Sequence, residues 1–315
     1  MIRKTTFFAL LLGFSVSVAA QKSRVFSVFQ LIESEQYEDA KESVEQAIWH
    51  DNTSRWPRTY YAKGLLCQKA FEEGIEKNDK KKTELYPGQL FVAYESYEKA
   101  LELDKRNRLH SAISSQYYRL ANDFQKLGQR LYRRKEYRKA LEAFEHALLV
   151  SKSPLLAAKT DTSLVYNTAL AAYESRNWGK AISYLTGLNA DGYGPNTALL
   201  LFNTYLESGD TLKAAEVLQE GVEQYDFDQD IVLKLVDFFV ETDSMIKAIQ
   251  LLDTAMVRKP ENAIFPWTSG LVHQQTGAYE KAIGLLTKAS HLSPDEPMIY
   301  YHLGICHYNI GVAID

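Results

Sequence analysis

Cysteine, proline and long apolar runs are all scarce in this chain, and each shortage excludes something. Only Cys67 and Cys306 occur. Two thiols so far apart in sequence make no disulfide framework, so they read as small buried apolar residues and the fold relies on a packed core. With only 8 prolines, long stretches are free to be helical, and a hydrophobic content of 46% argues against disorder. The apolar run Phe7–Val18 is too short to span a membrane.

A strong charge of one sign is missing too. The chain has 36 basic against 40 acidic side chains, a net of −4. Without residues 1–20, which hold Arg3 and Lys4 and no acid, the balance is 34 against 40, or −6. A mildly acidic body argues against nucleic acid as a partner.

Catalytic signatures are equally sparse. No serine sits in a G-x-S-x-G context and no G-x-x-x-x-G-K-[ST] phosphate loop occurs. Gly192-Tyr193-Gly194 has no strand before it and reads as a turn. Glu72-Glu73 reads as ordinary charge on a polar helix face. His302, Cys306 and His307 invite a metal reading, but two soft ligands rarely make a site alone, and His50, His110, His146, His273 and His291 are isolated. The expectation is a protein without catalysis, cofactor or metal.

What the sequence does have is a helical period. In Ala121–Pro154, residues Phe124, Leu127, Gly128 and Leu131 recur at i, i+3, i+4 and i+7, which puts them on one face of a helix. After a polar break at Arg133–Glu136, a second stripe follows with Tyr137, Ala140, Leu141, Phe144, Ala147 and Leu148. Gly128 and Ala140 are small where two helices must approach closely, and Phe144 is large enough to fill the gap. One hairpin of this size cannot bury both stripes by itself, so it needs a copy on each side.

The spacing Phe124-x2-Leu127-Gly128-x2-Leu131, Ala140-x3-Phe144-x2-Ala147 and a closing Pro154 resembles the tetratricopeptide repeat (TPR) family. It recurs along the chain: Ala181 to Ala214 is 33 residues, Ala214 to Ala248 is 34 and Ala248 to Ala282 is 34. The resemblance implies an all-α fold, a right-handed α-solenoid of stacked helix-turn-helix repeats. Residues 21–315 would hold about seven of them plus the first helix of an eighth. Repeat one is Gln21–Asn52. Repeat two begins near Arg58, and Glu72–Gln89, with Asp79-Lys80-Lys81-Lys82 and Pro87-Gly88, reads as an inserted exposed loop. Ala93 to Ala140 is 47 residues, so the first helix of repeat three should be long, from about Leu109 to Arg133. Repeat four carries an extra turn or two around Leu155–Asp161, and Gly192-Tyr193-Gly194-Pro195 closes it. Repeats five to seven run Pro195–Asp228, Gln229–Asn262 and Ala263–Glu296, and Pro297–Ile310 begins the eighth. A solenoid normally ends in a polar capping element, so the chain is expected to be part of a longer protein.

The N-terminus is a separate object. Arg3 and Lys4, the run Phe7–Val18 and the small residues Val18-Ala19-Ala20 have the layout of a secretory signal peptide over residues 1–20. The expectation is an exported protein, periplasmic or associated with the cell envelope of a bacterium, with no transmembrane segment after cleavage.

In the family, first helices line a concave groove that holds a segment of a partner protein. Carried onto this sequence, the groove candidates are Gln125, Gln129, Arg133, Tyr166, Leu170, Tyr173, Asn203, Asp237, Trp267, Gln274, Tyr301 and Tyr308. The family's subtype that grips a C-terminal carboxylate is not matched: of Gln125, Gln129, Asn167, Asn196 and Leu200 at its positions, only Asn167 fits. The partner is therefore a protein or peptide of unspecified identity. Two alternatives stand beside it: glycan or peptidoglycan stacking on Tyr166, Tyr173, Trp267 and Tyr301, or service as the TPR arm of a longer enzyme. The cluster Arg130, Arg133, Arg134, Lys135, Arg138 and Lys139 reads as a solvated turn, with an acidic peptide or a lipid headgroup as its alternative ligand.

Overall fold

The computed structural model describes residues 22–156 and 161–312, so the leader-like segment and part of the Leu155–Asp161 stretch lie outside the described residues. The described elements are helical, with no strand among them. They fall into two compact units, divided at Thr168.

The first unit holds α1 (22–33), α2 (Tyr37–Trp49), α3 (Pro57–Glu76), the short α4 (Lys80–Thr83), α5 (Gln89–Leu103), α6 (His110–Arg133), α7 (Tyr137–Ser151) and the start of α8 (Thr162–Glu174). Helices pair with their neighbours in sequence: α3 lies along α5 and α6 along α7. The pairing follows from residue size. A Cβ on Gly64 would sit 2.6 Å from the Tyr97 ring, and one on Gly128 would sit 2.6 Å from the Phe144 ring. Both rings are buried, as are Ala93 and Ala140. Missing side chains on first helices are the sockets for aromatic rings on second helices. Where the alanine spacing left a surplus, α6 is one unbroken helix, and its added N-terminal turns bury Ile113 and Tyr117.

The turns between paired helices share one device. Glu35, Lys135 and Arg176 take positive φ of 60, 61 and 59°. The next N–H then reaches back to a carbonyl of the preceding helix: Gln36 to the carbonyl of Leu31 at 2.8 Å, Glu136 to Leu131 at 3.0 Å, Asn177 to Ala172 at 2.8 Å. This is a Schellman-type C-cap, which satisfies carbonyls that the helix end would leave orphaned.

The inserted segment departs from the sequence expectation of an exposed loop over Glu72–Gln89. α3 continues to Glu76, and Gln89 opens α5 as a buried residue that donates to the carbonyls of Cys67 (2.8 Å) and Lys82 (2.9 Å). Leu85 is buried in the core around α1–α3, and the Lys41 ammonium donates to its carbonyl at 2.7 Å. The physical reason is Glu73. Its carboxylate accepts from the Tyr37 hydroxyl and pairs with Lys82 and, at 2.7 Å, with Lys77, which also reaches Glu35 at 2.8 Å. Burial pushes the Glu73 carboxyl up, but hydrogen bonds from Lys77, Lys82 and Tyr37 outweigh it and hold it well below the usual carboxylate range. Glu72 is likewise no idle surface charge, since Arg119 on α6 donates to it from Nε at 2.9 Å and also from Nη2. The pair Glu72-Glu73 is thus a double staple between elements.

The second unit contains the rest of α8, then α9 (Trp178–Ala190), α10 (Pro195–Ser208), α11 (Thr211–Gln224), α12 (Gln229–Glu241), α13 (Met245–Arg258), α14 (Ile264–Gln275), α15 (Tyr279–Leu292) and α16 (Pro297–Val312). Ala181, Ala214, Ala248 and Ala282 are fully buried where helices meet. A Cβ on Gly270 would lie 2.7 Å from Leu286, so the socket repeats with leucine in place of the ring. Asn177, Asp210 and Asp228 cap α9, α11 and α12 by accepting backbone N–H groups, and α10 and α16 begin at Pro195 and Pro297. α13 and α15 stop at Arg258 and Leu292, just before Pro260 and Pro294. No described helix is long and apolar enough to cross a membrane.

Candidate protein-binding faces

On α6 the buried stripe is Ile113, Tyr117, Leu120, Phe124 and Gly128, at steps of four, three, four and four. One residue along from most of these, about 100° around the helix, runs a second stripe: Tyr118, Asn122, Gln125, Gln129 and Arg133. Tyr118, Asn122, Gln129 and Arg133 are exposed, Tyr118 by 55%, and Gln125 is half-buried. Arg133 folds back to donate to the Gln129 carbonyl at 3.3 Å. Three of the groove candidates therefore share one face. Tyr118 extends it, and the expected list missed it because Tyr117 and Tyr118 both fit the helical spacing and only packing decides which turns inward.

The inner side of α6 is held by a buried polar network. The Gln68 amide on α3 donates to Asp123 at 2.9 Å and accepts from the Tyr97 hydroxyl on α5 at 2.9 Å. Burial lifts the Asp123 carboxyl to about 6, against the hydrogen bond from Gln68, while Glu72 adds to the rise and Lys126 and Arg119 oppose it. A ladder of rings accompanies it: Phe29–Tyr61, Tyr61–Tyr97 and Tyr97–Tyr117 have centroids 6.0, 6.0 and 6.1 Å apart. Such a network fixes the three helices against one another and so fixes the outer stripe. Tyr166, also in the first unit, is half-buried on α8.

The second unit treats its candidates unevenly. Leu170 and Asn203 are half-buried, and Asp237 is exposed. Tyr173 lies against Trp178 with centroids 5.4 Å apart. Trp267 turns away from an open wall: it packs on the cluster of Ala282, Leu286, Ala289, Ile299 and Cys306, and its Nε1 is buried without a hydrogen-bond partner. Its large ring is worth more against α15 and α16 than in water. Gln274 is tied to His302 at 3.1 Å, linking α14 to α16. Tyr301 and Tyr308 are 60% and 71% exposed.

The cysteines and histidines resolve simply. Cys67 and Cys306 are free and buried, and burial pushes the Cys67 thiol up to about 12. His307 is exposed, and no second helix covers it among the described residues. No three His, Cys, Asp or Glu side chains converge among the described residues.

Comparison with known proteins gives a fold likeness only. No family model matches the chain, and no curated protein matches it. Among solved structures it is similar to the MamA protein, at 23% identity over 48% of this chain and 82% of that one, with a TM-score of 0.38. It is also similar to YrrB, described as a TPR protein with an unusual peptide-binding site, at 16% identity over 57% and 90% of the two chains and a TM-score of 0.38. A third is TTC0263, a TPR protein of Thermus thermophilus, at 17% identity over 60% and 99% and a TM-score of 0.36. The paired helices and their glycine sockets are the arrangement that the sequence's resemblance to TPR proteins implies.

Proposed function

We propose that the chain is a non-enzymatic interaction module of the cell envelope whose first-helix faces hold segments of partner proteins. The observation that carries this reading is the outer stripe of α6. An exposed tyrosine and several amide side chains stand in register on a long helix whose back is locked by Gln68, Asp123 and Tyr97. Rigid, aromatic and amide-rich faces bind protein at low entropic cost, because few groups must be ordered on contact. A photocrosslinking residue at position 118 or 129 is expected to trap a discrete partner in cells, while the same residue at exposed Leu149 on α7 traps none. Tyr118→Ala with Gln129→Ala should weaken capture of that partner about tenfold at unchanged helicity. Equal trapping from all three positions would remove the face from consideration.

Export is supported by the leader-like start of the sequence. Mass spectrometry of protein from the envelope fraction is expected to show a chain starting at Gln21, and an intact Met1 terminus there would refute cleavage. Glycan stacking finds less support, since Trp267 is spent on the core and Tyr173 on Trp178, leaving Tyr301 as the widely exposed member of that set.

A further inference from the structure

The inserted segment and the basic turn, far apart in sequence and each read as solvated, line one cavity of about 770 Å³ in the first unit. That volume is in the range of sites that take a small molecule or a few residues of peptide. Its walls are the end of α3, α4 with the loop after it, and the α6–α7 turn. Phe71, Leu127 and Leu131 give it an apolar lining, and Arg130 and Arg134 add two guanidinium groups.

The charges around this cavity do not cancel. Lys80 pairs with Glu84 at 3.7 Å and Lys139 with Glu136 at 2.8 Å. The Asp79 carboxylate is taken by the backbone N–H of Lys81 and Lys82. Among the described residues no carboxylate pairs with Arg130 or Arg134; Arg134 stands close enough to Glu136 only to help lower its carboxyl pKa, after Lys139. The loop wall is also preformed. Lys82 is held by Glu73, Gln89 ties the loop back to Cys67, and α3 crosses the loop at Gly74, where a Cβ would meet the Thr83 backbone nitrogen at 2.8 Å.

We propose that this cavity is a second binding site, separate from the outer stripe of α6, for an extended acidic peptide with two carboxylates two residues apart beside an apolar side chain. The spacing comes from the helix. Arg130 and Arg134 are one turn apart, about 6 Å along the axis. In an extended strand, residues i and i+2 point the same way about 6.6 Å apart, so an acid-x-acid segment meets both guanidiniums at once. A single small anion would meet only one. Phe71, Leu127 and Leu131 then take the neighbouring apolar side chain, and each arginine can bind its carboxylate through two parallel N–H donors.

The test uses the full chain and a fluorescein-labelled, amidated peptide, Gly-Leu-Glu-Ser-Glu-Leu-Gly, followed by anisotropy. A control peptide carries glutamine at both glutamates. Wild type should prefer the acidic peptide by at least about tenfold, and the preference should shrink with added salt. Arg130→Glu with Arg134→Glu, at the C-terminal end of α6 and checked for retained helicity by circular dichroism, should lose that preference and favour a peptide with lysine at both positions. Gln129→Ala should leave the preference intact, which separates this site from the α6 stripe. Three results would each overturn the proposal: equal or absent binding of the acidic and glutamine peptides, a preference that survives in the double variant, or displacement by sulfate beyond that by chloride at equal ionic strength.

Discussion

Gly128→Val is expected to cost the first unit about 3 kcal/mol or more of stability, among the largest effects of any single substitution that adds only apolar atoms. The reason is geometric. Even the first added atom would lie 2.6 Å from two carbons of the Phe144 ring, and that ring is itself buried. Two further methyls on a β-branched residue would also strain the helix. Equilibrium unfolding in urea, followed by far-ultraviolet circular dichroism, measures the loss. A cycle with Phe144→Ala identifies its source. Phe144→Ala alone should cost about 3–5 kcal/mol by leaving a cavity. In that background Gly128→Ala should turn from destabilising to neutral or mildly stabilising, because alanine is the better helix former by about 1 kcal/mol once the ring is gone. Additive losses would show that the Gly128 socket and the Phe144 ring are not one joint.

The same joint explains why so much of the fold was legible in the sequence. A socket demands the smallest residue at one position and a bulky one at a fixed offset, so Gly128 with Phe144 advertises itself along with the recurring alanines at Ala181, Ala214, Ala248 and Ala282. Local steps of three and four assign faces, and the surplus before Ala140 fits only a long α6. What stayed hidden depends on which neighbour arrives. Glu73 looks like surface charge until Tyr37, Lys77 and Lys82 converge on it. Trp267 fits a groove or a core equally well by spacing, and α15 and α16 draw it inward. Tyr117 and Tyr118 are indistinguishable in sequence, yet Glu98 on α5 is the acceptor for one hydroxyl while the other ring stands exposed. For the candidate faces, then, periodicity located the helices and was a poor guide to which side chains remain available.

Asp123 was invisible for the same reason, and it gives the second large effect. An aspartate in an unfolded chain titrates near pH 4, while burial beside Gln68 lifts the folded carboxyl to about 6. Between these values the native state holds a proton that the unfolded chain has released. The stability contributed by this group is therefore greatest below about pH 4, falls as pH rises to about 6, and is flat above. A rise of about two pKa units corresponds to roughly 3 kcal/mol of stability forgone at neutral pH. Asp123→Asn removes the titration and keeps an oxygen to accept from the Gln68 amide, whose own carbonyl still accepts from Tyr97. The variant should thus match wild type near pH 4 and exceed it by up to roughly 3 kcal/mol at pH 7. Urea unfolding at a series of pH values measures the difference. If wild type and variant keep a constant gap from pH 4 to 7, Asp123 is not the group that titrates, and the buried network between α3, α5 and α6 carries its charge without penalty.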